Sequence, residues 1–419
     1  VSVSDETLDW LIVGGGLQGV HAAVRLVAEA GVAPERLRIV DPGERLLARW
    51  RQCTARTGMS HLRSPSVHHL DIDPWALRRF AGHRRRRKLG AFAPPYERPS
   101  LALFDAHCDH VVQTYGLAAL HVRASVEACT VDDEGVSARL GGGGRLFARR
   151  AVLALGASEQ PSWPDWAPRG HPRVRHIFEA SPDPWPYREG EAIVVVGGGI
   201  SAAQVALRLV AEGLKVHVVS RHALREHQFD SEPGWLGPRH MAAFAREPRH
   251  DERRAMITAA RHRGSLPPDV RRAFSRAITH QRLTWHQAHV VRALSEAQGL
   301  RLSLSSSTCV EVDRVLLATG FAPSRPGGAM LDDLISQAGL RCAACGFPIV
   351  DSALRWHPRL HVTGPLAELE LGPVARNISG ARRAGERLVV AAGDHRRHRH
   401  VDAAGLRPRR EPEVHHARV

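Results

Sequence analysis

Short apolar runs recur along the chain in two matching series. Leu8 to Val13 and Ala192 to Val196 are continuous rather than alternating, the pattern of strands buried on both faces of a parallel sheet. Each run meets a glycine cluster, GGGLQG from Gly14 and GGGISA from Gly197, and then an Ala- and Val-rich segment with helical spacing, Leu17 to Ala30 and Ser201 to Ala211. Strands expected at Leu37 to Val40 and Lys215 to Val219 complete two β-α-β units. The runs Ala151 to Leu155 and Val310 to Ala318 return as buried strands, in the related sequences LALGA and LATGF.

Polar breaks organise the rest. Gly116 to Arg150 reads as a β-meander interrupted by Asp132, Asp133 and Gly141 to Gly144, and short strands are expected near Leu283 to His289, Val291 to Leu294 and Leu300 to Leu304. Arg239 to His280 has a basic helical pattern, Leu360 to Thr363 reads as a short strand and Gly372 to Leu388 as a final helix. Trp50 to Ser100, dense in Arg, His and Pro, reads as a long loop, and Pro161 to Pro186 as a linker. The fold class predicted is α/β, with two Rossmann-like, three-layer, parallel-sheet dinucleotide-binding domains. Residues 1–165 and 318–394 form a discontinuous outer domain. It is interrupted by an inner domain at 185–317 with a helical insertion at about 239–280, and residues 395–419 are expected to be a basic, disordered tail.

The glycines carry the first chemical signal. Gly14 permits a tight turn, Gly16 lets backbone approach a pyrophosphate, and Gly19 lets helix and strand pack closely, with the phosphates on the helix N-terminus. Asp41, about 20 residues on, is placed to accept from an adenosine ribose, so the expected cofactor is FAD. Gly197, Gly199 and Ala202 repeat these roles, with Ser201 inside the motif. At the tip of the next strand stands Arg221, where a carboxylate would repel a 2′-phosphate and a guanidinium pairs with it. This favours NADPH over NADH; the alternative is an arginine that is simply exposed.

Composition narrows the class. A chain of 419 residues with 43% hydrophobic residues can bury a large core, and no apolar run approaches the roughly 18 residues of a membrane span. The opening residues lack a signal-peptide pattern, so a cytoplasmic protein with reduced thiols is expected. The net charge of +15 raises nucleic acid as a partner. However, the only lysines are Lys88 and Lys215, and the cationic segments Arg84 to Lys88 and His395 to Val419 read as a solvated loop and tail, so nucleic acid is not the expected partner. Cys342 and Cys345 form a C-x-x-C pair, either a redox dithiol or two ordinary thiols. His68, His69 and the tail histidines lack acidic or thiol neighbours at ligand spacing, and no metal ligand is assigned.

The two fingerprints, the GxGxSA form of the second and LATGF at Leu317 to Phe321 resemble the class B flavin monooxygenases, in particular the lysine and ornithine N-hydroxylases, patchwise to about Leu388. The resemblance implies FAD, NADPH and O₂, with one oxygen atom transferred to a nucleophilic nitrogen or sulfur of a small substrate. It implies cofactor contacts at Trp50, Gly320, Gly364 and Gly372, the last opening a helix whose N–H groups would face the flavin pyrimidine edge. A family segment with a substrate-binding lysine is matched by MSHLRSP, with Arg63 as the nearest cation, and His61, Arg63 and Trp235 are the reaction-pocket residues expected. The chain departs from the family at FDSEPGWLGPRHM, at GSLPPDV and at Pro365, where relatives carry a flavin-binding acid. The substrate implied is therefore not free lysine or ornithine. The alternative activity is an NAD(P)H-dependent flavin oxidoreductase that reduces a disulfide or quinone without oxygenation.

Overall fold

The computed structural model describes residues 7–82, 92–179 and 185–405, with side chains described to residue 393. The continuous apolar runs are central strands of two sheets. In the first, strand order is 355–357, 360–362, 151–153, 10–13, 37–41, 121–123, parallel except for the 355–357 edge. In the second it is 283–287, 215–220, 192–196, 314–317, 174–176, parallel throughout.

Both faces of each sheet are covered, which is why these strands do not alternate. Trp10 and Ile12 pack into a cluster with Val20 and Val24 of the first glycine helix, Leu17–Ala28, and Phe104 and Leu388 of later helices. Leu11 and Val13 point the other way, into a cluster with Val136, Ala138 and Leu146 of an antiparallel three-stranded sheet, Val126–Val131, Val136–Leu140 and Arg145–Ala148. The second unit repeats this plan. Ile193 and Val195 meet Ala202, Val205 and Leu209 of the second glycine helix, Ile200–Ala211, while Val194 meets Leu302 and Val310 of a second antiparallel sheet, Val290–Ser295, Leu300–Leu304 and Cys309–Val312.

Several expectations are corrected. The Trp50 to Ser100 stretch contains the helices Ala48–Thr57 and Ala76–Gly82, the first with few apolar residues and so little periodic signal. A further helix, Leu101–Thr114, starts at Ser100, whose hydroxyl accepts from the Leu103 N–H. The Pro161 to Pro186 stretch is more than a linker, since Val174–His176 joins the second sheet. The run 310–318 is two strands rather than one. Asp313 breaks it, its carboxylate accepting from the Ala192 N–H at 2.8 Å where the chain passes from the antiparallel to the parallel sheet. Arg239 to His280 is three helices, Pro238–Arg246, His250–Ala260 and Pro268–Thr279, the breaks falling next to Pro248 and Pro267. A helix at Gly328–Ala338 was not anticipated.

The final helix runs Ile378–Gly405, past residue 395 where the tail was expected to begin. Residues 406–419 and the Arg84 to Lys88 run lie outside the described residues. Among the described residues, no helix is long and apolar enough to cross a membrane.

Candidate cofactor and reaction site

The two glycine turns are built alike. Gly14 N–H donates to the Val40 carbonyl at 2.8 Å and Gly197 N–H to the Val219 carbonyl at 2.9 Å, so each turn is anchored on the next strand. The returning strands lie alongside, with Ala154 N–H on Val13 and Ala318 N–H on Val196, both at 2.8 Å. This closeness dictates glycine: a Cβ on Gly14, at φ +111°, would stand 2.6 Å from the Ala154 carbonyl oxygen, and one on Gly197 2.4 Å from that of Ala318. A Cβ on Gly19 would strike the Gly14 carbonyl oxygen, the helix-to-turn contact. At Gly16 it would meet nothing within 4 Å, so glycine there keeps the approach to the helix end clear instead of avoiding a clash. No side chain caps either helix, and the N–H groups of the first turn remain for an anion. Ser201 lies in the first turn of the second helix, and Ala202 is buried with its Cβ toward Gly197.

Asp41 ends the strand after the first turn. Its two oxygens accept from Gly15 N–H at 2.7 Å and Gly43 N–H at 2.8 Å, which fixes the loop and leaves lone pairs for further donors. It borders a cleft of about 1030 Å³ with Arg45, Arg49, Arg123 and Trp163. Trp50 has a different place: it packs edge-on against Phe104, and its indole N–H donates to Asp105 at 3.0 Å. In the second unit Arg221 is exposed and, among the described residues, has no hydrogen bond or ion pair. Its neighbour His222, not singled out in the sequence, lies beside the turn, its ring 2.8 Å from where a Gly198 Cβ would be.

The segment from Gly364 to Asn377 folds back onto the first turn. Gln18, the variable residue just before Gly19, donates to the Ala375 and Asn377 carbonyls at 3.0 and 3.1 Å and accepts from the Thr363 hydroxyl at 2.7 Å. A Cβ on Gly364 would press on Gln18. Gly372, at φ +76°, does not open the long helix. It begins a single turn, Pro373–Arg376, and the helix proper starts at Ile378. Glu368 is buried between Arg254 and Arg376; burial pushes its carboxyl up, but the two guanidinium groups outweigh this and hold it below the ordinary range. It is consumed by those partners and does not replace the acid missing at Pro365. Gly320 lies at the other crossing, where its carbonyl accepts from Ser162 N–H and Phe321 stacks on Phe178. Next to it, burial lowers His176 to about 4.

The three reaction-pocket residues do not converge into one polar group. The Arg63 Nη2 donates to the carbonyls of His227 and Phe229 and the Ser265 hydroxyl, and Nε to Gln228, so this guanidinium ties the MSHLRSP segment to the 227–229 strap. Half-buried His61 pairs with Ser100 in a backbone bridge, with Nδ1 3.3 Å from Ser60 Oγ. Trp235 is buried against Phe244 and His240, one ring edge 3.7 Å from the Gly372 Cβ position. Thus Trp235 alone adjoins the closing segment. Gln18 carries no signal because it fills an unspecified position of the motif, and His222 because it lies past the next strand and only the fold brings it to the turn.

Residues 11–158 match the family model for FAD-NAD(P)-binding domains, and residues 97–262 that of pyridine nucleotide-disulphide oxidoreductases. No curated protein matches the chain in sequence. Among solved structures, the ornithine hydroxylase of Pseudomonas aeruginosa superposes with a TM-score of 0.71 at 17% identity, covering 93% of this chain and 100% of that one. The ornithine N-hydroxylase of Kutzneria sp. 744, in a complex with reduced FAD, NADP⁺ and L-ornithine, gives 0.73 at 18% identity with coverage of 93% and 100%. The bacillithiol disulfide reductase of Bacillus cereus gives 0.61 at 19%, with the same coverage. The chain therefore shares the fold of these two-dinucleotide-domain structures.

Proposed function

We propose that this chain, with the fold of the flavin-dependent N-hydroxylases, is an NADPH-consuming FAD monooxygenase that transfers one oxygen atom from O₂ to a nucleophilic nitrogen or sulfur of a small substrate. FAD is assigned to the outer unit, residues 1–165 and 318–394, and NADPH to the inner unit, 185–317. The observation that carries this is the duplicated turn. The first copy leaves the approach to its helix N-terminus clear, the second has the Gly264 main chain beside Gly199, and the first is followed by a candidate ribose-binding acid, Asp41, the second by an exposed cation, Arg221.

The residues present fit both groups. The N–H groups after Gly16 and Gly199 bind the pyrophosphates, Asp41 orients the adenosine of FAD, and Arg221 pairs with the 2′-phosphate of NADPH. Bound flavin supplies the redox and oxygen chemistry. The protein's part is positioning: Gln18 holds the closing segment on the first turn, and Arg63 ties the MSHLRSP segment to the 227–229 strap. One NADPH, one proton and one O₂ yield NADP⁺, water and the oxygenated substrate. Purified protein carrying FAD should oxidise NADPH, consume O₂ and form an N- or S-oxygenated product from a panel of small amines and thioethers.

The second reading is a flavin reductase of disulfides or quinones, supported by the likeness to the bacillithiol disulfide reductase fold. Cys342 is half-buried on a hairpin, and burial pushes its thiol up, away from the thiolate an exchange reaction needs. Unchanged NADPH oxidation in Cys342→Ser would separate the oxygenase from this dithiol enzyme.

A further inference from the structure

Beside the second glycine turn, where the Gly264 Cα lies 3.4 Å from the Cβ position of Gly199, the strap that Arg63 holds meets the loop before Pro268. Here Arg225–Glu226 pairs in parallel with Ser265–Leu266, and His227 N–H continues the pairing onto the Leu266 carbonyl at 3.0 Å. Ser231 and Arg261 form a second bridge, and His262 N–H donates to the Asp230 carbonyl at 2.8 Å. His227 and Glu232, on one strap, are thereby brought to His262, about thirty residues further along the chain. Among the described residues, His227, Glu232 and His262 each present a ligand atom, and these atoms lie within 4.8 Å of one another.

We propose that His227, Glu232 and His262 bind one divalent transition-metal ion of the zinc class. The donor set is two imidazole nitrogens and one carboxylate oxygen, which suits zinc, cobalt or nickel, whereas calcium and magnesium seek oxygen alone. The backbone supplies the outer support such a site needs. His262 Nδ1 lies 3.3 Å from the Phe229 carbonyl, which selects the Nδ1–H tautomer and leaves the Nε2 lone pair directed to Glu232, 3.5 Å away. The His227 carbonyl takes a 2.6 Å hydrogen bond from Arg63, so the strand that bears this ligand is fixed from the other side. The two imidazole rings stand with centroids 3.7 Å apart and planes 31° from parallel, so a rotation of one ring about its side-chain bonds is needed to turn both nitrogens onto one ion. Three protein ligands leave a position open for water or a small anion. No spacing rule reveals the site, because the β-bridges and not the local sequence bring the ligands together.

Cobalt(II) and zinc(II) titrated into the full-length chain, and into Glu232→Gln and His262→Ala, test this. Glu232 is 60% exposed on its side chain, so its variant keeps the fold. The wild type should bind one more tight equivalent than either variant, with visible cobalt bands and no thiolate charge-transfer band, which separates the site from Cys342 and Cys345. The terminal histidines contribute equally to all three proteins and cancel in the comparison. Loss of a ligand should weaken the site by more than the roughly 10–100-fold typical of an outer-shell change. Wild-type affinity and stoichiometry in both variants would overturn the proposal, as would loss in His262→Ala with Glu232→Gln unchanged.

Discussion

The Gln18 amide oxygen accepts a 2.7 Å hydrogen bond from the Thr363 hydroxyl, joining the first glycine turn to a strand end far along the chain. With its two donations to Ala375 and Asn377, this side chain is the clasp between the N-terminal unit and the segment that closes it. Gln18→Ala should lower stability by about 2 kcal/mol, three net hydrogen bonds at around 1 kcal/mol each less partial replacement by water. Flavin should be released at a lower temperature than in wild type, as followed by FAD fluorescence on heating. Thr363→Val, which removes one of the three bonds, should fall in between.

Two glycines of the same turn should fail differently. Gly14→Ala places a Cβ 2.6 Å from the Ala154 carbonyl oxygen in a left-handed conformation, so it should lower both the melting temperature and flavin content. Gly16→Ala meets no protein atom and should melt like wild type without flavin, yet bind FAD more weakly in a fluorescence titration.

Arg221→Ser should raise the KM for NADPH by about 10-fold or more and leave that for NADH nearly unchanged, since a charged hydrogen bond contributes roughly 1.5–3 kcal/mol. Equal effects on both nucleotides would mean that Arg221 does not read the 2′-phosphate.

Three buried histidines and the half-buried His68 set an acid limit on stability. Burial lowers His21 to about 3 and His68, His69 and His176 to about 4, against 6.5 in the unfolded chain. Below pH 6.5 the unfolded chain takes up protons that the folded chain refuses, so stability is full above that pH and falls as pH drops toward 4. Each histidine contributes on the order of 1 kcal/mol per pH unit in that window. Urea midpoints from pH 7.5 to 4.5 should stay level and then decline below about 6.5.

Glu368 neutralises two arginines at 1% exposure. Glu368→Gln leaves both with no carboxylate and should cost about 3 kcal/mol or more, measured as a fall in denaturation midpoint. Arg376→Gln, which leaves Glu368 paired with Arg254, should cost less.

Much of this was legible from the sequence. Ile12 and Val195 lie in unbroken apolar runs because sheets covered on both faces demand them, and the glycines between strand and helix are fixed by backbone contacts such as Gly19 on Gly14. The segments that resisted reading are governed by distant partners. The helix Ala48–Thr57 is polar and held by contacts such as Trp50 to Asp105, and Arg63 looks like a free cation until the carbonyls of 227–229 arrive from the second unit. Trp235 was located by analogy, and its buried place next to Gly372 depends on a helical insertion that carries no nucleotide motif.

The most direct test of the central claim is the fate of molecular oxygen. Under ¹⁸O₂, with FAD-loaded protein, NADPH and a panel of small amines and thioethers, mass spectrometry should find one ¹⁸O atom in an N- or S-oxygenated product, formed in proportion to NADPH consumed. NADPH oxidation that reduces the flavin and passes its electrons to a disulfide or quinone, with no label in any product, would contradict the account.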